Sequence, residues 1–168
     1  MSTTVSLWPD DLISAEPLST PAKIVREQAD LLDDKTGGLL VGQVEPVRDR
    51  NGELTYTFAI HVPELHYSFE LFDISHGPTV YPTKIEVDER VAEEAFPESL
   101  DDDPRYRPAI NVKSEDELRE ALGRIFSASF TRRIVQGLHA QAKEERERNR
   151  EGQRRRGAPP ELDDDVPF

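Results

Sequence analysis

Asp73, Ser75 and His76, followed by Gly77, place an acid, a hydroxyl and an imidazole in one short stretch, the ingredients of a Ser-His-Asp hydrolase. Such a triad needs groups from separate elements converging beside an oxyanion hole, whereas neighbours along an extended chain point apart. The stretch therefore reads as a polar turn in which Asp73 and Ser75 bond backbone and Gly77-Pro78 redirects the chain. His61, His66, Glu70 and His76 offer nitrogen and oxygen ligands for a metal. Their spacing matches no compact ligand pattern, and His61 falls opposite the apolar stripe of its strand, so exposed hairpin histidines are expected and no metal site. Asp10, Asp33 and Lys35 echo the acids and lysine of a magnesium nuclease. In that pattern the second acid and the lysine lie on a strand, whereas here they close a helix beside Gly37-Gly38. No Gly-rich phosphate loop is present. The expectation is a protein without enzymatic activity and without a cofactor.

A different constellation lies at the other end of the sequence. Asp163, Asp164 and Asp165 are followed by Val166, Pro167 and Phe168. Phe168 unites an aromatic ring and an α-carboxylate, so both enter one pocket, and a partner must supply an apolar slot with a basic rim. Pro167 fixes φ near about −65° and keeps the segment extended, which lowers the entropy lost on docking. Capture of a C-terminal carboxylate is a recurring recognition mode.

These residues resemble the C-terminal tip of bacterial single-stranded-DNA-binding proteins, whose pattern is an acidic run, an aliphatic residue, Pro and a terminal Phe. Asp163 to Asp165 match the run, Val166 the aliphatic place, Pro167 the proline and Phe168 the anchor. The likeness extends to linker-like Pro159, Pro160 and Glu161 and covers nothing further. In that family the tip is a docking tag that recruits repair helicases, nucleases, the recombination mediator, primase and clamp-loader subunits to exposed single strands. The resemblance implies that Asp163 to Phe168 bind DNA replication and repair enzymes with a tail-binding pocket.

Composition sets further bounds. The chain of 168 residues suits one domain plus a tail. It has no cysteine, which removes disulfides and thiolate chemistry and fits a reducing compartment. No run approaches the ~18 apolar residues of a membrane span, and no signal stretch opens the chain; a soluble, cytoplasmic protein without membrane partners is expected. Charge is divided unevenly. Residues 1–142 hold 14 Lys and Arg against 26 Asp and Glu, residues 143–157 hold 7 against 4, and residues 158–168 hold 0 against 4. The folded part is thus the acidic part, and it repels phosphates unless its few cations cluster.

The elements that must carry these residues follow from periodicity. Residues 1–19 form an irregular arm whose Trp8 is the residue suited to tuck onto the core. The core domain spans 20–142. Thr20-Pro21 is a helix start. Ala22, Val25, Ala29 and Leu32 recur at helical spacing, and Gly37-Gly38 ends the helix. Four strands are expected next, and they form an antiparallel meander. Leu39 to Val47 turns through Asn51-Gly52 into Leu54 to Val62, where Leu54, Tyr56, Phe58, Ile60 and Val62 alternate with polar or small residues. Tyr67, Phe69 and Leu71 continue the alternation before Phe72 and Ile74 switch face, the signature of a bulge. Thr79 to Val87 contains Pro82, which predicts an edge strand.

Asp88 to Phe96 reads as a short helix, and Glu98 to Pro108 as a loop carrying Asp101, Asp102 and Asp103. Ser114 and Glu117 form a capping box opening a longer helix, with Leu118, Leu122 and Ile125 buried. Ser127 to Thr131 interrupt it, and Ile134, Val135, Leu138 and Ala142 resume the stripe. Residues 143–157 are a charged helix extension and linker, and 158–168 the acidic docking tail. The fold class is α+β, a four-stranded antiparallel sheet covered by N-terminal and C-terminal helices. A small barrel of the oligonucleotide-binding type is the rival.

Three functions fit. The first is a non-enzymatic accessory of DNA replication, recombination or repair that docks through its tail as recruiter or decoy. The second is a divergent single-stranded-DNA-binding protein. It would stack bases on Tyr56, Phe58, Tyr67, Phe69, Phe72 and Tyr81, with Arg124, Arg132, Arg133, Lys143, Arg154, Arg155 and Arg156 as the cationic track. Core packing is the default reading of Tyr56 and Phe58, because they share a face with Leu54, Ile60 and Val62. The third is an acidic mimic of DNA. Nothing in the sequence specifies an oligomeric state.

Overall fold

The computed structural model describes residues 5–13, 16, 18–48, 52–100 and 106–157. Helix α1 spans Pro21–Thr36. Its start is fixed by Thr20, whose hydroxyl accepts from the Lys23 N–H at 3.3 Å, and by Pro21 in the first turn. Gly37 ends it at φ 58°, where the cap N–H reaches the carbonyls of Asp33 and Asp34, a conformation that a Cβ disfavours.

Five strands follow: β1 (Val41–Arg48), β2 (Leu54–Val62), β3 (Tyr67–His76), β4 (Thr83–Val87) and β5 (Ala109–Val112). They form one antiparallel sheet in the order β1-β2-β3-β4-β5, so the meander expected from the sequence is present with one strand more. β5 lies in the stretch between Pro108 and Ser114, and its four residues are too few to display a period. The sheet is open, with β1 and β5 at its margins, not the closed oligonucleotide-binding barrel considered as a rival. Pro82 precedes β4, and β4 pairs on both sides with β3 and β5; the edge strand predicted there is instead internal. The sheet's proline is Pro46, on the marginal strand β1, where a missing N–H is tolerated.

The register confirms the β3 bulge. Phe58 opposes Phe72 and Ala59 opposes Glu70, so Leu71 is the extra residue. Leu71 and Phe72 are consequently both buried in succession. Phe58, Ile60, Phe72, Ile74, Ile85 and Val87 form the covered face. Phe58 and Phe72 stack at 5.0 Å between ring centroids, and Phe126 closes on both. Alternate residues, including Thr57, Asp73, Lys84 and Glu86, make the polar face and remain partly exposed.

Helix α1 packs against β1 so closely that a Cβ on Gly42 would sit 2.5 Å from the Ala29 Cα. Helix α2 (Glu89–Ala95) lies within the stretch read as a short helix, and Asp88 caps it. Helix α3 (Glu115–Ser127) starts with half of the predicted box: the Glu117 N–H donates to Ser114 Oγ, while the Glu117 carboxylate accepts from the Lys113 N–H at 2.7 Å, one residue before the cap. Ala128 interrupts the helical stripe at φ −59°, ψ 140°. Helix α4 (Ser129–Arg156) then runs for 28 residues. It lacks a side-chain cap of its own at Ala128; Glu94 of α2 accepts the Ser129 N–H at 2.8 Å and its hydroxyl at 2.9 Å. Trp8 does not tuck onto the core: it is 73% exposed, and Leu7 and Ile13 are also exposed. Pro9, Asp10 and Asp11 separate Leu7 and Trp8 from Leu12 and Ile13, a spacing that gives the arm no stripe to dock as a helix or strand.

Candidate partner-docking and ligand sites

Asp163, Asp164, Asp165, Val166, Pro167 and Phe168 lie outside the described residues, as do Asp101 to Asp103 and Asn51. What the structure positions is the chain leading to the tip. Ala142 is the last buried residue of α4, and the fourteen residues from Lys143 to Arg156 extend the helix by about 21 Å at ~1.5 Å per residue. Arg146 ties this extension to the core: its Nε donates to Glu64 Oε1 at 2.7 Å, joining α4 to the 3-10 turn Pro63–Leu65. Arg148 pairs along the helix with Glu144 and Glu145. Arg154, Arg155 and Arg156 occupy the last turn, where cations oppose the negative end of the helix dipole.

The proposed cationic track is not one patch. Arg124 lies on α3, 4.4 Å over the Phe96 ring and 3.4 Å from Glu98. Arg132 and Arg133 are at the beginning of α4, and about 33 Å of helix separates Arg132 from Arg154. Among the described residues Arg132, Arg133, Lys143 and Arg154 to Arg156 form no ion pair. Six aromatics were read as stacking platforms for bases. Phe58 and Phe72 are buried beneath helices, and Tyr56 stacks on His76 below Arg26. Tyr67 is exposed at the hairpin end of β3. The Tyr81 hydroxyl is buried without a partner, and its pKa is raised, first by burial and then by Glu115.

The acid, hydroxyl and imidazole of β3 are divided between the two faces. Asp73 accepts from the Thr57 hydroxyl at 2.6 Å and meets Arg107 at 3.4 Å on the polar face. His76 lies on the other face, where its Nδ1 is 2.8 Å from the Gly77 carbonyl. A carbonyl only accepts, so the ring proton sits on Nδ1; Nε2 is buried and unpartnered. His61 pairs with Ser68 at 2.9 Å on the polar face, opposite to His76, and His66 sits in the intervening turn at φ 49°. Among the described residues no three His, Asp or Glu are grouped as metal ligands. Asp33 and Lys35 stay at the end of α1, remote from any strand position of a nuclease.

Sequence reasoning did not anticipate a cavity of about 290 Å³ between α1, α4 and the covered face of the sheet. Its apolar wall includes Leu32, Phe58, Ile60, Leu71, Phe126 and Val135, and its polar members are Gln28, Lys35 and Thr131. Leu71 reaches it because of the bulge. Thr131 is 1% exposed, and its Oγ1 has no hydrogen-bond partner. A hydroxyl placed among Phe130, Ile134 and Val135 was the available sequence signal. A second, shallower groove joins Leu65 and Tyr67 to Arg133, Gly137 and Leu138. No helix among the described residues is long and apolar enough to cross a membrane. No protein-family model, no curated protein and no solved structure matches the chain.

Proposed function

We propose that the chain is a non-enzymatic accessory of bacterial DNA replication, recombination or repair. Its tip, Asp163 to Phe168, docks in enzyme pockets that receive the tail of the single-stranded-DNA-binding protein. The order of those six residues carries this assignment. Phe168 fills the apolar slot, its carboxylate and Asp163 to Asp165 meet the basic rim, and the outcome is recruitment or displacement of the host tail. Two structural features support it. The charged extension of α4 carries the chain away from the core before the tip begins. Phe58 and Phe72, two of the sheet aromatics that single-strand binding would use, are committed to packing, and the acidic core suits a protein surface better than phosphates.

The experiment is a calorimetric titration of a tail-binding repair helicase or exonuclease with the full chain and with a chain lacking Phe168. Loss of affinity on removing Phe168 is expected; equal affinities refute the assignment. One observation favours a second reading, contact with single-stranded DNA along α4: the arginines at both ends of that helix that form no ion pair among the described residues. An anisotropy titration with an oligonucleotide at low salt decides it, since phosphate contacts of this kind weaken steeply as salt rises.

A further inference from the structure

We propose that the cavity between α1 and α4 is a binding site for a small apolar carboxylic acid bearing a second oxygen at its far end. At about 290 Å³ the space equals that of about ten waters at ~30 Å³ each. That sets a ligand of about ten heavy atoms, at the small end of ordinary ligand pockets. The walls are mostly apolar, so water inside finds few protein partners.

The inner polar group is Thr131. A threonine inside a helix commonly returns its hydroxyl to the carbonyl three or four residues earlier. Thr131 is the third residue of α4, so those carbonyls belong to Ser127 and Ala128, at the break where the backbone turns extended. The Ala128 carbonyl instead receives the Arg132 N–H at 3.0 Å. The hydroxyl is left buried and unpartnered among the described residues, on a residue that lines the cavity, whereas buried polar groups are nearly always bonded. A ligand oxygen completes it.

The outer polar group is Lys35, the one charged residue among those lining the cavity. It is exposed and forms no ion pair among the described residues. Gln28, two turns away on the same helix, lines the same cavity. A cation at an apolar opening selects an anionic head over a neutral or positive one, and Gln28 adds a hydrogen bond. The site stands apart from the tail and does not depend on the function proposed for it.

The test is a ¹H–¹⁵N correlation titration of the full chain with 8-hydroxyoctanoate, octanoate and octanol as probes. Saturable shifts at Lys35, Leu71, Phe126 and Thr131 are expected, with 8-hydroxyoctanoate binding tightest. Thr131→Val keeps the shape and loses the preference for the hydroxy acid over octanoate, a change of about five- to tenfold for one hydrogen bond. Lys35→Gln, at an exposed position that leaves the fold intact, weakens both acids and leaves octanol unchanged. Absence of saturable shifts, or shifts indifferent to both substitutions, overturns the site. So does perturbation of these residues by deletion of 163–168 without any response to the acids, which assigns the cavity to the chain's own tail.

Discussion

Replacing Gly42 by Ala should damage this fold more than any other addition of a single methyl group to a glycine. The new Cβ would stand 2.5 Å from the Ala29 Cα, 2.6 Å from its Cβ and 2.9 Å from its carbonyl oxygen, where carbon atoms in contact settle at about 3.5–4.0 Å. Two of the three colliding atoms are backbone, so no side-chain rotation relieves them, and α1 must retreat from β1 by about 1 Å or more. Ile24, Val25 and Ala29 then lose part of their packing. Overpacking of a core typically costs about 1–3 kcal/mol, and rigid backbone contacts place this case near about 3 kcal/mol. At roughly 2–4 °C per kcal/mol for a chain of this size, the melting temperature falls by about 6–12 °C. Urea denaturation followed by circular dichroism measures the loss. Adding Ala29→Gly removes only the 2.6 Å contact and leaves the closest one, so the double variant does not recover. A Gly42→Ala protein within about 0.5 kcal/mol of the parent, or full recovery in the double variant, refutes the close helix–strand crossing.

Glu94→Ala strips the start of α4 of its acceptor for Ser129 and should destabilise the protein by about 1–2 kcal/mol, read from the same denaturation curves. Thr131→Val removes an unpartnered buried hydroxyl and should raise stability by about 1 kcal/mol in ligand-free protein; a loss instead means that the hydroxyl has a partner. Arg146→Ala and Glu64→Ala, with their double variant, should give a coupling of about 0.5–1 kcal/mol, since both side chains keep some solvent contact. Asp88 is held below its ordinary value of 3.8, chiefly by the hydrogen bond from Arg90. Its folded value is depressed, so its charge stabilises the protein fully above pH 3.8 and ceases to do so as pH falls through the lower folded value. Asp88→Asn, which still caps α2, should therefore be less stable than the parent at pH 7 and approach it below pH 3.8; a gap independent of pH contradicts the charge effect.

The elements with long periods or strong punctuation were legible in the sequence. Thr20-Pro21 and Gly37 delimit α1 as read, the alternation from Leu54 to Val62 gives β2, and the change of face at Leu71-Phe72 marks a bulge that the register bears out. β5 was not legible because four residues between Pro108 and Lys113 carry no period and pair only through tertiary contact. Pro82 misled because a proline forbids only its own ladder bond, and the strand begins one residue later. Trp8 misled because burial of one indole needs a surface to receive it, which periodicity along the chain does not reveal. Of the candidate residues, strand alternation puts His76 on the face opposite to Asp73 and Ser75, which share one; the polar turn expected there is instead the end of β3, with Asp73 bonded to the Thr57 hydroxyl and not to backbone. The cavity was hidden because its lining comes from α1, β2, β3, α3 and α4 together, a convergence that no local pattern encodes.

The assignment of the tip is tested most directly by competition for one pocket. A labelled tail peptide of a single-stranded-DNA-binding protein is bound to a repair enzyme that recognises it, and the full chain is titrated in. The proposed function predicts complete displacement by the parent, at least about tenfold weaker displacement by Phe168→Ala from the lost burial of the ring, and none when residues are added after Phe168. A ternary complex in which the peptide stays bound, or displacement indifferent to Phe168, contradicts it.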